Sequence, residues 1–260
     1  MTLAHTLDGR GPARVLLLHD WLGDASNYDA ALPYFDLDAL TLARVDLPGY
    51  GASRAHPLRD TGEGALEAEV LAVADRLGWG RFHLVAHSMS TVIAQRLARS
   101  HPARLAGVTL TAPVAPGTHL PDEALAFLRA LGRTPGIRRD ALAARANPHL
   151  SARWLDHKLA RWAACAEPEA VAAYVDLFAR PQLATTRVEV TVPVLALTGA
   201  DDGEPFRSAA VEPALRAVHA DATVEELPTG HYPMQEMPPR FAARVERFVR
   251  ACVAADVRAP

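Results

Sequence analysis

Cysteine is scarce in this sequence. Only Cys165 and Cys252 occur, far apart in the chain, a usage that fits free thiols in a reducing compartment better than a disulfide framework. No apolar run reaches the roughly 20 residues a membrane helix needs, and the first residues, MTLAHTLDGRGPARV, lack the apolar core of an export signal. A cytoplasmic protein with no membrane partner is therefore expected. Positive charge is also unconcentrated: the net charge is −3 with no basic block, so nucleic acid is not an expected partner. There is no G-x-x-x-x-G-K-[ST] phosphate loop, no internal repeat, and no His or Cys spacing that would hold a metal. No cofactor and no metal are expected. The oligomeric state is left open.

What is present is ample material for a core. Half of the 260 residues are hydrophobic, and a chain of this length buries roughly 75% of the surface its unfolded form exposes. Short β-branched and apolar runs recur: VLLLHD (Val15–Asp20), LTLARVD (Leu40–Asp46), RFHLVAH (Arg81–His87), GVTLTAP (Gly107–Pro113), VPVLALTG (Val192–Gly199) and ATVEELP (Ala222–Pro228). Most are followed by helix-periodic segments, such as Glu63–Gly78, Ser88–Ser100 and Pro238 to about Ala254. Strands alternating with helices predict an α/β fold with a mostly parallel, doubly wound sheet. Residues 117–187 break the alternation. They contain three helix-like segments, PDEALAFLRALG, SARWLDHKLARWAACA and PEAVAAYVDLFAR, each opened by Pro or Ser. This predicts a core of residues 1–116 and 188–260 with a helical cap at 117–187, hinged near Gly117 and Thr185–Thr186.

Four stretches carry candidate chemistry. In LVAHSMSTVIAQ (Leu84–Gln95) a serine, Ser88, stands where a buried strand becomes a helix, flanked two places away by the small residues Ala86 and Ser90. A hydroxyl exposed on so tight a turn can act as a nucleophile if a base takes its proton, and the next N–H, of Met89, would point at what it attacks. A plain Ser cap is the ordinary alternative. In GHYPMQEMPPRF (Gly230–Phe241) His231 follows a strand, where α/β sites gather, and imidazole suits proton transfer near neutrality. The turn LTGADDGEPF (Leu197–Phe206) offers Asp202 or its neighbour Asp201 to orient that imidazole; the offset from Gly199 favours Asp202, leaving Asp201 or Glu204 to cap the next helix. HDWLGDASNY (His19–Tyr28) supplies a loop whose Trp21 N–H could be a second donor to a developing oxyanion. The stripe Trp154, Leu155, Leu159 and Trp162 either packs the cap on the core or roofs a pocket, with Met89, Tyr232, Met234 and Met237 adding an adaptable lining.

These stretches together resemble the α/β-hydrolase superfamily over nearly the whole chain. The order Ser88, Asp202, His231 is that family's order. Asp46-Leu47-Pro48-Gly49-Tyr50-Gly51-Ala52-Ser53 is similar to its D-x-x-G-x-G-x-S turn, and Gly230-His231-Tyr232-Pro233 with Glu236 and Pro238 to its histidine loop. The resemblance implies a serine hydrolase that cleaves an ester, lactone or thioester of a small, partly apolar molecule through an acyl-enzyme. Cofactor-free C–C or oxygen chemistry, or a ligand receptor with little turnover, are the other uses of this fold. Three positions depart from the family pattern. Ala86 and Ser90 replace the elbow glycines, the aspartate is doubled at 201–202, and His19-Asp20 stands where His-Gly is usual, which bears on the backbone at Asp20 and so on the Trp21 donor.

Overall fold

The computed structural model describes residues 2–58, 60–131, 134–185 and 191–256. Seven strands form one sheet: β1 (His5–Gly9), β2 (Ala13–Leu18), β3 (Leu40–Val45), β4 (Phe82–His87), β5 (Leu105–Thr111), β6 (Val194–Gly199) and β7 (Thr223–Leu227). Their order is β1-β3-β2-β4-β5-β6-β7, and every pairing is parallel except β1 with β3. The central strands β4, β5 and β6 are buried along their whole length. That explains why they read as continuous apolar runs: a parallel sheet covered on both faces has no polar side to alternate with. β1 has no such signature. Its five residues, HTLDG, sit half-exposed at the sheet edge, and the sequence pattern gave no reason to expect it.

The core helices are α1 (Ala65–Arg76) and α2 (Thr91–Ser100), followed after β5 by α3 (Asp122–Leu131), α4 (Pro135–Ala143), α5 (Ala152–Cys165), α6 (Pro168–Ala173) and α7 (Val175–Ala179). α8 (Ser208–Val218), α9 (Pro233–Glu236) and α10 (Pro238–Asp256) are the remaining helices among the described residues. The five helices between β5 and β6 occupy the stretch expected to be helical. They differ from expectation in two ways. The third expected helix is broken at Tyr174 into α6 and α7, where the Tyr174 ring is fully buried and its hydroxyl donates to the Pro48 carbonyl at 3.1 Å. α4 was not anticipated from the sequence. Of the two expected hinges, Gly117 takes φ 84°, while Thr186 and the boundary at Arg187 lie outside the described residues.

The sheet order also locates a crevice. From β2 the chain moves outward to β3, then crosses back to β4 on the other side of β2. Loops leaving neighbouring strands in opposite directions open a gap at their carboxyl ends, the usual place for a site in such sheets. β2 ends into the His19–Tyr28 loop and β4 ends at Ser88, so both stretches border that gap.

Candidate active site

Ser88 takes φ 52°, a left-handed conformation that non-glycine residues rarely hold. The surroundings hold it there. The Ser90 hydroxyl accepts the His87 N–H at 3.0 Å, and the Thr91 hydroxyl donates to the Ser88 carbonyl at 2.6 Å. Ala86 and Ser90 are fully buried in the bend, so small side chains are needed on both sides. The hydroxyl is thereby held at the sheet edge rather than used as a helix cap.

Three side chains from the ends of β4, β6 and β7 meet there. The Ser88 hydroxyl lies 2.8 Å from His231 Nε2, and His231 Nδ1 lies 2.7 Å from Asp202 Oδ2. An ionised carboxylate can only accept, so Nδ1 carries the proton and Nε2 is left to accept from the Ser88 hydroxyl. Asp202 is fully buried, and its second oxygen accepts the Gly203 N–H at 2.6 Å. Asp201 turns the other way, its Oδ2 accepting from Asn147 Nδ2 at 2.7 Å. Neither Asp201 nor Glu204 caps a helix: the 3-10 turn Glu204–Phe206 begins at Gly203 without a side-chain cap, and Arg207 precedes α8. Asp201 is drawn off by the chain between β5 and β6, which no local pattern could reveal.

The histidine loop is clamped from several directions. Glu236 accepts the Gly230 N–H at 2.6 Å and the Tyr232 N–H at 3.1 Å, one on each side of His231. Burial raises the Glu236 pKa, opposed by these backbone donors. The His231 N–H donates to the Arg145 carbonyl at 2.8 Å, and the Phe206 ring stands edge-on to the imidazole at 4.7 Å. His87 Nε2 donates to the His231 carbonyl at 2.7 Å. Burial pushes the His87 pKa down to about 3, so it is a neutral tie between the elbow and this loop.

The loop after β2 is equally fixed. His19 Nε2 accepts the Leu47 N–H at 3.0 Å and its Nδ1 donates to the Asp20 carbonyl at 2.7 Å. Tyr50 donates to the Trp21 carbonyl at 3.0 Å, and the Trp21 indole donates to the Val171 carbonyl at 2.7 Å. Asp46 gathers the turn after β3, accepting the N–H groups of Ala25 and Ala52, while Gly49 and Gly51 take positive φ. Asp20 is not among the residues with positive φ; its carboxylate is buried and accepts from Asn27 Nδ2 at 2.5 Å, and Asn27 Oδ1 in turn accepts from Lys158 Nζ at 2.9 Å. Burial alone would raise the Asp20 pKa, but the charge of Lys158 and the Asn27 hydrogen bond hold it well below the usual carboxylate range. Among the described residues the Trp21 backbone N–H has no hydrogen-bond acceptor, and the Met89 N–H lies in the first turn after the bend at Ser88, where a helix leaves its N–H groups without an intrahelical partner.

A small cavity of about 20 Å³ opens over the hydroxyl, lined by Asp20, Trp21, Leu22, Ser88, Arg145, Phe178, Phe206, His231 and Tyr232. Of the expected lining residues, Tyr232 borders it, as does Trp21, which was expected as an oxyanion donor. Trp154 is half-buried, its ring 5.6 Å from that of Tyr232, and lines a neighbouring cleft instead. Trp162 is buried against Trp21, and Met234 is fully buried in the core. Three polar residues at the site are not marked by any motif: Asn27, Lys158 and Arg145. Lys158 had a signal, since it stands four residues from both Trp154 and Trp162 and so shares their face of α5; it is buried there, its ammonium 4.4 Å from the centre of the Tyr232 ring. Among the described residues no group of His, Cys, Asp and Glu side chains could hold a metal ion, and no helix is long and apolar enough to cross a membrane.

Chemically, a hydroxyl bonded to an imidazole whose other nitrogen is held by a carboxylate can give up its proton as it attacks an electrophile. The family model described as alpha/beta hydrolase family matches residues 15–244. The chain is 34% identical over 110 residues to the dihydrolipoyllysine-residue acetyltransferase component of an acetoin cleaving system from Cupriavidus necator, a match spanning 41% of this chain but only 28% of that protein. Among solved structures, a thermophilic esterase from Thermogutta terrifontis is similar with a TM-score of 0.81 at 23% identity, over 96% of this chain and 93% of that one. An esterase from Exiguobacterium antarcticum is similar with a TM-score of 0.84 at 16% identity, over 95% of each chain. At those identities the structural likeness speaks for the fold.

Proposed function

The chain belongs to the alpha/beta hydrolase family, and from that premise we propose that it cleaves an ester-type bond of a small, partly apolar molecule through an acyl-enzyme on Ser88. The bond is that of a carboxylic ester, a lactone or a thioester. The observation that carries this reading is the unbroken hydrogen-bonded order Ser88–His231–Asp202 at one edge of the sheet, at 2.8 and 2.7 Å. In the first step Ser88 Oγ bonds to the carbonyl carbon while His231 Nε2 takes its proton; the carbonyl electrons move onto oxygen. Collapse of that tetrahedral species breaks the bond to the leaving group, which takes the proton back from His231. Water then repeats the sequence on the acyl-enzyme with His231 as base, releasing the acid and restoring the hydroxyl. Asp202 holds the imidazole tautomer and stabilises the imidazolium formed in each half.

The oxyanion is assigned to the Met89 and Trp21 N–H groups. The Trp21 N–H lacks an acceptor among the described residues, the Met89 N–H opens the helical turn at Ser88, and the indole and carbonyl bonds of Trp21 support a preorganised donor. Residues 117–187 are assigned as the cap. Phe178 of α7 and Arg145 after α4 border the cavity over Ser88, which has room for about one water, so admission of a substrate requires the cap side to move.

A panel of p-nitrophenyl esters assayed with the wild type and Ser88→Ala tests the proposal. The expected result is turnover by the wild type and a loss of about a thousandfold or more in kcat on replacing the nucleophile. Turnover that survives the substitution would point to chemistry that uses the His231–Asp202 pair without an acyl-enzyme, and binding without product release would point to a receptor; either outcome defeats the reading.

A further inference from the structure

Arg145 borders the cavity over Ser88 from the turn that follows α4. Its backbone is fixed, the N–H donating to the Leu142 carbonyl at 3.1 Å and the carbonyl accepting from His231 at 2.8 Å. Its guanidinium, by contrast, has no hydrogen-bond or ion-pair partner among the described residues. Other partly buried arginines are engaged: Arg44 with Asp8, Arg161 with Asp24, and Arg96 with Glu67. A guanidinium presents five donors and stays charged throughout the accessible pH range. One that is half-buried beside an aromatic cavity and lacks an acceptor suits an anion that is brought in.

A second donor stands in the same wall. The Tyr232 side chain is fully buried, its hydroxyl has no partner among the described residues, and the residue borders the cavity. Burial raises its pKa well above the ordinary tyrosine value, so the hydroxyl keeps its proton, and the charge of Arg145 is close enough to oppose that rise. Asp20, the carboxylate of the cavity, does not answer Arg145: it is held by Asn27 at 2.5 Å and, through Asn27, joined to Lys158. The remaining walls, Trp21, Leu22, Phe178 and Phe206, are apolar.

Resting on the reading of Ser88 as nucleophile, we propose that the ester taken by this site carries a carboxylate, bound by the Arg145 guanidinium and the Tyr232 hydroxyl while the scissile carbonyl lies over Ser88. Arg145 is then the residue that sets the substrate class.

Two matched pairs test which side of the ester bears the charge. Mono-p-nitrophenyl glutarate against p-nitrophenyl pentanoate places it on the acyl side; 3-acetoxybenzoate against 3-methylphenyl acetate places it on the leaving side. In at least one pair the wild type is expected to favour the anionic member by roughly 10- to 100-fold in kcat/KM, the range of a charge-assisted hydrogen bond. Arg145→Met should bring that ratio to within a few-fold of one, and Arg145→Lys should restore part of it. A wild type that favours the neutral member of both pairs, or a preference that survives Arg145→Met, overturns the proposal. Equilibrium binding of glutarate, followed by tryptophan fluorescence, separates this from the acyl-enzyme reading. Saturable binding in Ser88→Ala that is lost in Arg145→Met upholds the anion site whatever becomes of turnover, and no binding in Ser88→Ala overturns it.

Discussion

Asp201 and Asp202 are chemically identical and adjacent, yet their carboxylates serve different loops, one held by Asn147 and the other by the His231 imidazole. Replacing each by asparagine separates those duties. Asp202→Asn places an amide where only an acceptor fits Nδ1–H, which favours the wrong imidazole tautomer and should lower kcat by about ten-thousandfold. Asp201→Asn disturbs a contact remote from the proton path, and steady-state kinetics should move less than about tenfold. Equal losses in both variants would contradict the assignment. At this scale the sequence speaks clearly where a residue type is unusual for its place. A serine in a strand-to-helix bend and a histidine after the last strand are of that kind, and the distances join them. It only leans where the choice depends on rotamer and partner, as at 201 and 202, where the offset from Gly199 favours Asp202, and it is silent where a side chain reaches in from elsewhere, as Arg145 and Lys158 do.

β4 carries a second consequence besides ending at Ser88. It holds two buried histidines, His83 and His87, whose pKa values burial depresses to about 4 and about 3 from 6.5. Between those values and 6.5 the unfolded chain binds protons that the folded chain refuses. Their contribution to stability is therefore complete above about pH 6.5 and is lost as pH falls through that window, by at most about 1.4 kcal/mol per pH unit for each group. Urea unfolding at pH 7.5 and pH 4.5 should show the decline. His83→Gln, with one fewer titrating group, should show a shallower one; an unchanged slope would mean that His83 is free to protonate in the folded state. The strands themselves were the most legible elements, because burial on both faces leaves uninterrupted apolar runs. β1 was not, since an edge strand of five mixed residues has neither alternation nor an apolar run, and the break at Tyr174 depends on a bond to Pro48 far away in sequence.

On the scale of the whole molecule, the helical stretch between β5 and β6 and the loop that carries His231 are stitched together at the backbone. A Cβ placed on Gly230 would lie 2.4 Å from the Asn147 nitrogen and 2.5 Å from the Arg145 oxygen, leaving neither chain room. Gly230→Ala should therefore force apart the contact that positions His231, costing about 1–3 kcal/mol of stability and lowering kcat as well. Gly203→Ala, with nothing within 4 Å of its added carbon, is the control expected to leave the melting temperature nearly unchanged. If Gly230→Ala is as stable and active as the wild type, the 145–147 segment yields easily and is not part of the site's framework. The overall architecture follows from the alternation of strands and helices, but this seam does not, because it is a contact between loops with no periodicity to announce it.

The proposed chemistry turns on Ser88 being a hydroxyl activated by His231. Its most direct test is reaction of the folded protein with a serine-directed fluorophosphonate, with the adduct counted by intact mass and located by peptide mapping. One equivalent on Ser88 is predicted, formed far more slowly in His231→Ala. No adduct on intact protein, an adduct elsewhere, or a rate indifferent to His231 would contradict it.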